Sequence, residues 1–257
     1  MITFSNEEGF IKPVGIEMFD SNLKELPHIS IGVFSEHLYY EIVNNYKGKQ
    51  VGKFGGTSIH RPVHILNYKG ISVTLFMAGI SGPWISSDIE ELNASGVDTF
   101  IIFGNCGVLD KNIEDCSIII PTKAFRDEGT SYHYLPDSEF IELNTKFKKE
   151  FEEILNENKF DYTEGTTWTT DAFYRETVEK IKKFKEKGAI CVEMEGASIG
   201  AVCKYKKLDY FTFYYAGDNL DAQKWDERSL KQLSNFEKKK QVPLLAFELA
   251  KRIENKN

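Results

Sequence analysis

The sequence predicts an α/β protein folded as a single domain, and three observations lead there. From Ile29 onward, short apolar runs bounded by glycine or turn residues alternate with stretches whose apolar residues recur at helical spacing. No Pro/Gly/Ser-rich linker divides the 257 residues. Hydrophobic residues make up 41% and charged residues 28%, a balance that lets a chain of this length bury a full core.

Residues 1–28 carry mixed charge and little periodicity. They read as an N-terminal arm that gains order by packing on the body, residues 29–257, or on a neighbouring subunit. Ile29 to Phe34 is a strand, after which Ser35 can cap a helix reaching Tyr46. Val63–Leu66 and Ile71–Met77 form a hairpin around Asn67-Tyr68-Lys69-Gly70, with glycine where positive φ is needed. Gly79 to Pro83 is a glycine-rich turn opening a helix to about Ala94, with Ile85, Ile89 and Leu92 on one face. Val97 to Phe103 is a buried strand entering a second glycine-rich turn, Gly104-Asn105-Cys106-Gly107.

Further along, Ser117–Ile120 reads as a strand, Pro121–Leu135 as a long loop, and Asp137 to about Glu157 as an amphipathic helix. Thr163–Thr170 is a strand that delivers Phe173, Tyr174, Arg175 and Glu176 beyond its end. These aromatics either recognise a ligand or pack in the core. Lys180–Lys187 closes the next helix, with Gly188 as its stop. Phe236 to about Glu254 is a terminal helix interrupted near Pro243.

The stretch from Ala189 to Asp221 organises the chemistry. Ala189–Val192 and Phe211–Ala216 are buried strands enclosing a helix that carries Ala197, Ile199, Val202 and Cys203. Carboxylates stand at both strand ends: Glu193 and Glu195 after the first, Asp218 after the second. Ligands of open α/β sheets bind at such carboxyl ends. Glu193 alone is explained as a helix cap. Glu195, between Met194 and Gly196, suits the two hydroxyls of a ribose diol.

Val192-Glu193-Met194-Glu195 followed by a small residue resembles the signature of the nucleoside phosphorylase family, which includes purine nucleoside and uridine phosphorylases. Gly70–Val73 leading to Ala78–Pro83, then Gly104–Gly107, is similar to that family's glycine-rich turns in the same order. Residues 126–134 and 169–177 resemble its uridine-phosphorylase-like branch. Together these motifs span roughly Ile31 to Leu230.

The resemblance implies a three-layer α/β/α sandwich around a mixed, partly barrel-like sheet. It implies cleavage of a nucleoside with phosphate as co-substrate and no cofactor. By position it makes Asp218 the catalytic acid, and Glu195, Met194, Glu193, Phe173, Arg175, Asn105, Cys106 and Gly107 substrate-binding residues. Gly32, Arg61 and Asn105 become phosphate-binding. The chain departs from the family at two phosphate arginines, where Glu36 and Ile102 stand. Arg61, Arg126 or His60 could replace them, or water could attack with Glu36 as base, which makes a nucleosidase the alternative. A non-catalytic nucleoside-binding protein is a third reading. Asp218 favours purines and the 169–177 segment favours uridine.

A net charge of −7 excludes a broad nucleic-acid-binding face. The four cysteines show no CxxC pair and no metal-ligand spacing, so they read as reduced, with no metal site. The N-terminus has no signal-like pattern and no run is long enough to span a membrane. The expected protein is cytoplasmic and binds small molecules. In keeping with the resembling family, it is expected to be a homo-oligomer, as a dimer, trimer or hexamer.

Overall fold

The computed structural model describes residues 4–55, 59–230 and 235–256. Eleven strands form one mixed sheet, part of which closes on itself. The open wing holds β1 (Glu17–Met18), β3 (Lys49–Lys53), β4 (Pro62–Tyr68), β5 (Ile71–Met77) and β2 (Ile29–Val33), hydrogen-bonded in that order. Next to β2 lies β6 (Thr99–Val108), followed by β10 (Ala189–Glu193), β9 (Tyr162–Thr170), β7 (Ile118–Asp127) and β11 (Asp209–Asn219). Strand β11 pairs with β6 as well as β7, so five strands form a closed ring, with β6 shared between ring and wing. A short β8 (Phe140–Glu142) pairs with β7.

Helices cover both faces of the sheet. On one side α1 (Glu36–Asn45), α4 (Lys148–Glu157) and α8 (Val242–Glu254) pack Leu38, Phe151, Ile154, Leu245 and Phe247 onto Ile31, Phe103 and Phe213. On the other, α2 (Gly82–Ala94) and α6 (Gly196–Lys206) bring Ile85, Ile89, Ile199 and Val202 against Phe76, Phe100 and Ile102. These are the outer layers of the expected sandwich. The ring interior is filled by Val108, Ile119, Cys191, Tyr214 and Ala216. A third surface, under α5 (Val178–Glu186), buries Trp168 and Phe184 in a stack. Among the described residues no helix is long and apolar enough to cross a membrane.

Several elements follow directly from local chemistry. Ser35 accepts a hydrogen bond from the Leu38 amide, as a helix cap should. Lys69 and Gly70 both have positive φ, which gives the β4–β5 hairpin the twist its strands need. Within the N-terminal segment, Ile16 and Leu26 are buried and β1 pairs with β3, so this part lies against the body.

Three expectations are corrected. Gly104–Gly107 is not a turn but the second half of β6, which pairs there with β10 and β11. Strand β7 does not stop at Ile120 but runs to Asp127, passing Pro121 at a register shift opposite Gly165. The helix expected from Asp137 starts at Lys148, after β8 and a left-handed Phe147. The terminal helix is interrupted near Pro243 as expected, into α7 (Phe236–Lys239) and α8, with Pro243 in the first turn of α8 where its missing N–H costs nothing.

Candidate active site

The β10–α6 junction turns on Glu193, which is buried and has both oxygens occupied. Oε1 accepts from Thr169 Oγ1 at 2.6 Å and Thr167 Oγ1 at 3.2 Å, while Oε2 accepts from the amides of Glu195 and Gly196 at 2.7 and 2.5 Å. Four donors satisfy a carboxylate whose proton affinity burial alone would raise. The Glu193 side chain thus caps the first amides of α6, as its position predicts, and leaves no free oxygen for the substrate contact that the resemblance implies. A side chain on Gly196 would collide with it and with Tyr214 Oη.

Glu195 stands two residues on, 7% exposed, beside a half-buried Met194. Its Oε1 accepts from the Ser81 amide at 2.7 Å, which ties the start of α6 to the start of α2. Burial, followed by the neighbouring Glu193 and Asp171, pushes its carboxyl up to about 8 even though the Ser81 amide favours the ionised form. A site that supplies further donors, such as two sugar hydroxyls, would stabilise the ionised carboxylate.

Asp218 lies at the end of β11, half-buried, with Oδ2 accepting from Trp225 Nε1 at 2.6 Å. A Cβ on Gly107 would run into Leu220 Cδ1 at 2.5 Å and meet Asp218 Oδ1 and Val192 Cγ1 at 3.2 Å each, so glycine lets the end of β11 and β10 close over β6 at this point. Gly107 pairs with Val192, the residue before Glu193. The ends carrying Asp218 and the Glu193–Glu195 run thus meet across β6. Asn105, on the same strand, is exposed with its amide nitrogen near Gly217.

A residue outside the sequence-predicted site also stands here. Glu176 follows a single 3-10 turn (Phe173–Arg175), and burial together with the neighbouring Asp218 pushes its carboxyl up to about 7. Its sequence signal was a carboxylate just past the aromatic run beyond β9.

Other candidates fall elsewhere. Arg61 is 6% exposed and makes a bidentate ion pair with Asp88, lying between the rings of Phe54 and Trp84. A cation neutralised in this way is not the phosphate ligand expected of it. Arg126 is equally committed, to Ser131, Ser138 and the carbonyls of Leu135 and Pro136. Gly32 is the penultimate residue of β2, at its carboxyl end, and the ring of Phe76 occupies the space a side chain there would need. Cys106 turns its thiol into the ring interior and buries it, so its side chain is not a ligand contact. Ile102 is fully buried and Glu36 is exposed in the first turn of α1. Phe173, 50% exposed and packed on Tyr174, stands at the surface with Arg175 and not in the core.

A model of the phosphorylase superfamily matches residues 31–246. The chain belongs to that family. The chain is similar to a guanosine phosphorylase of Halorubrum lacusprofundi, 28% identical over 202 residues that cover 73% of this chain and 81% of the relative. Among solved structures, purine nucleoside phosphorylase from Toxoplasma gondii in complex with immucillin-H superposes with a TM-score of 0.79 at 17% identity, covering 98% of this chain and 100% of that one. AMP nucleosidase from Bacteroides thetaiotaomicron gives 0.71 at 21% identity, covering 90% of each. The expected family and its fold are thus found.

Proposed function

We propose that this phosphorylase-superfamily member cleaves the N-glycosidic bond of a purine nucleoside, with phosphate as acceptor, to give the free base and ribose 1-phosphate. The C1′–N9 bond breaks, a C1′–O bond to phosphate forms, and the base leaves with a proton. Glu195 accepts hydrogen bonds from the ribose hydroxyls and Met194 packs on the sugar. Asp218 delivers the proton to the departing purine ring as general acid. Phe173 and Arg175 form the rim on the base side, and Asn105 donates to the acceptor from β6.

One observation carries this reading: the Asp218 carboxylate lies against Gly107, whose strand partner leads into Glu193–Glu195. An acid for the base and an acceptor for the sugar diol therefore stand on adjoining strand ends. The guanosine phosphorylase relative supports a purine.

Hydrolysis is the second reading, favoured by one specific finding. Arg61 is paired with Asp88, Arg126 is held within its loop and Ile102 is buried, so none of these three positions presents a cation to an anionic acceptor. Incubation of the purified protein with guanosine, inosine, adenosine and uridine, with and without phosphate, separates the readings. Phosphate-dependent ribose 1-phosphate from the purines supports the first. Free ribose without phosphate supports the second, and no base release with any nucleoside overturns both.

We further propose a cytoplasmic homo-oligomer. The exposed Phe10, Ile11, Val14, Tyr174 and Val178 support subunit contacts. Light scattering at working concentration tests this, and a monomer would rule it out.

A further inference from the structure

The residue that donates to Glu195 has an unusual backbone. Ser81 adopts φ 98° and ψ 152°, a region in which a side chain is costly and glycine is not. The path of the chain here is fixed from both sides. The Gly79 amide donates to Asp88 Oδ2 at 2.8 Å, and a side chain on Gly82 would run into Ser198 Oγ and meet Thr130 Oγ1 at 2.9 Å. The Ser81 carbonyl accepts the Ile85 amide of α2 at 3.1 Å, and its own amide is directed at Glu195 Oε1.

All of these bonds are made by the backbone, and glycine would make every one of them without strain. The side chain contributes none of them: Ser81 is the residue preceding α2, yet its hydroxyl caps no amide and has no hydrogen-bond partner among the described residues. A serine held at a conformational cost, with an unused hydroxyl on the same residue whose amide holds Glu195, needs another use. The hydroxyl is half-buried, and within one residue it can both donate and accept beside a carboxylate that only accepts when ionised.

We propose that Ser81 is a specificity-determining residue of the site, its hydroxyl bonding the pentose of the bound nucleoside next to the diol held by Glu195. This rests on the sugar-binding reading of Glu195 given above. An acceptor oxyanion could use the same hydroxyl chemistry, and the test separates the two.

The test compares S81A, which keeps the strained backbone but not the hydroxyl, with S81G, which removes both. Steady-state kinetics with the purine nucleoside cleaved by the wild type should show KM for the nucleoside raised about three- to tenfold in both variants, the loss of one neutral hydrogen bond. KM for phosphate should stay unchanged, and S81G should melt at or above S81A because strain is relieved. With the matching 2′-deoxy and 3′-deoxy nucleosides, the difference between wild type and S81A should disappear for the analogue that lacks the bonded hydroxyl. A wild-type nucleoside KM in S81A overturns the inference, and a raised phosphate KM in its place overturns the pentose assignment. A wild type that cleaves no nucleoside fails at an earlier point, since it removes the proposed reaction itself.

Discussion

The carboxylate of Glu195 and the amide of Ser81 lie 2.7 Å apart, joining the first turns of two helices that follow different strands, β10 and β5. Because that carboxyl is buried, its folded-state proton affinity lies at about 8 against an ordinary 4.5. The sign follows from linkage. A group that binds its proton more tightly when folded gives its full stabilisation below the unfolded value and loses it as pH rises through the folded one. E195Q does not titrate. Between pH 5 and pH 9 the melting temperature of the ligand-free wild type should therefore fall relative to E195Q, by an amount on the order of a few kcal/mol in stability. Parallel melting curves across that range would count against a buried, titrating Glu195.

Glu193 predicts a different phenotype from its neighbour. E193A would leave the amides of Glu195 and Gly196 and the hydroxyls of Thr167 and Thr169 without their acceptor. It should cost about 3–5 kcal/mol of stability, measured by chemical denaturation, in line with the loss of a buried charged partner. E195A should cost less, since only the Ser81 amide loses its acceptor, and should abolish nucleoside cleavage.

Asp218 is tested by substrate chemistry. D218N should lower kcat for a natural purine nucleoside by about 10²–10⁴, the range of a lost general acid. An N7-methylated purine nucleoside already carries its positive charge and needs no proton to leave, so D218N should cleave it nearly as fast as the wild type. Equal losses on both substrates would show that Asp218 does not serve as the acid.

For Arg61 the expected loss is structural. R61A leaves Asp88 buried without its partner and should cost about 3–5 kcal/mol, whereas the double substitution R61M/D88L should recover much of that. If R61A instead folds normally and raises only the phosphate KM, the ion pair is not what holds the residue.

The sequence made the ends of β10 and β11 legible because polar residues interrupt apolar runs there, and the helix cap at Ser35 because its chemistry is local. What remained hidden depends on long-range contacts. Gly104, Gly107 and Pro121 look like strand breakers, yet ring closure overrides them: Gly104 admits the ring of Phe34 and Gly107 admits Leu220. Arg61 appears as a cation without an acid beside it because Asp88 comes from α2, 27 positions away. Nothing near Glu176 in the chain shows that it is half-buried close to Asp218. Nothing near Gly32 in the chain shows that the ring of Phe76, on a neighbouring strand, covers it at the end of β2.

Strand β6 belongs to both the wing and the ring, and its last partner, β11, begins only at Asp209. During synthesis, β6 must wait for nearly all of the chain to emerge before that seam can be sealed, with its backbone groups open to mispairing meanwhile. The dominance of such distant pairings points to slow refolding. Truncations that remove β11 should accordingly yield insoluble material and not a smaller folded core.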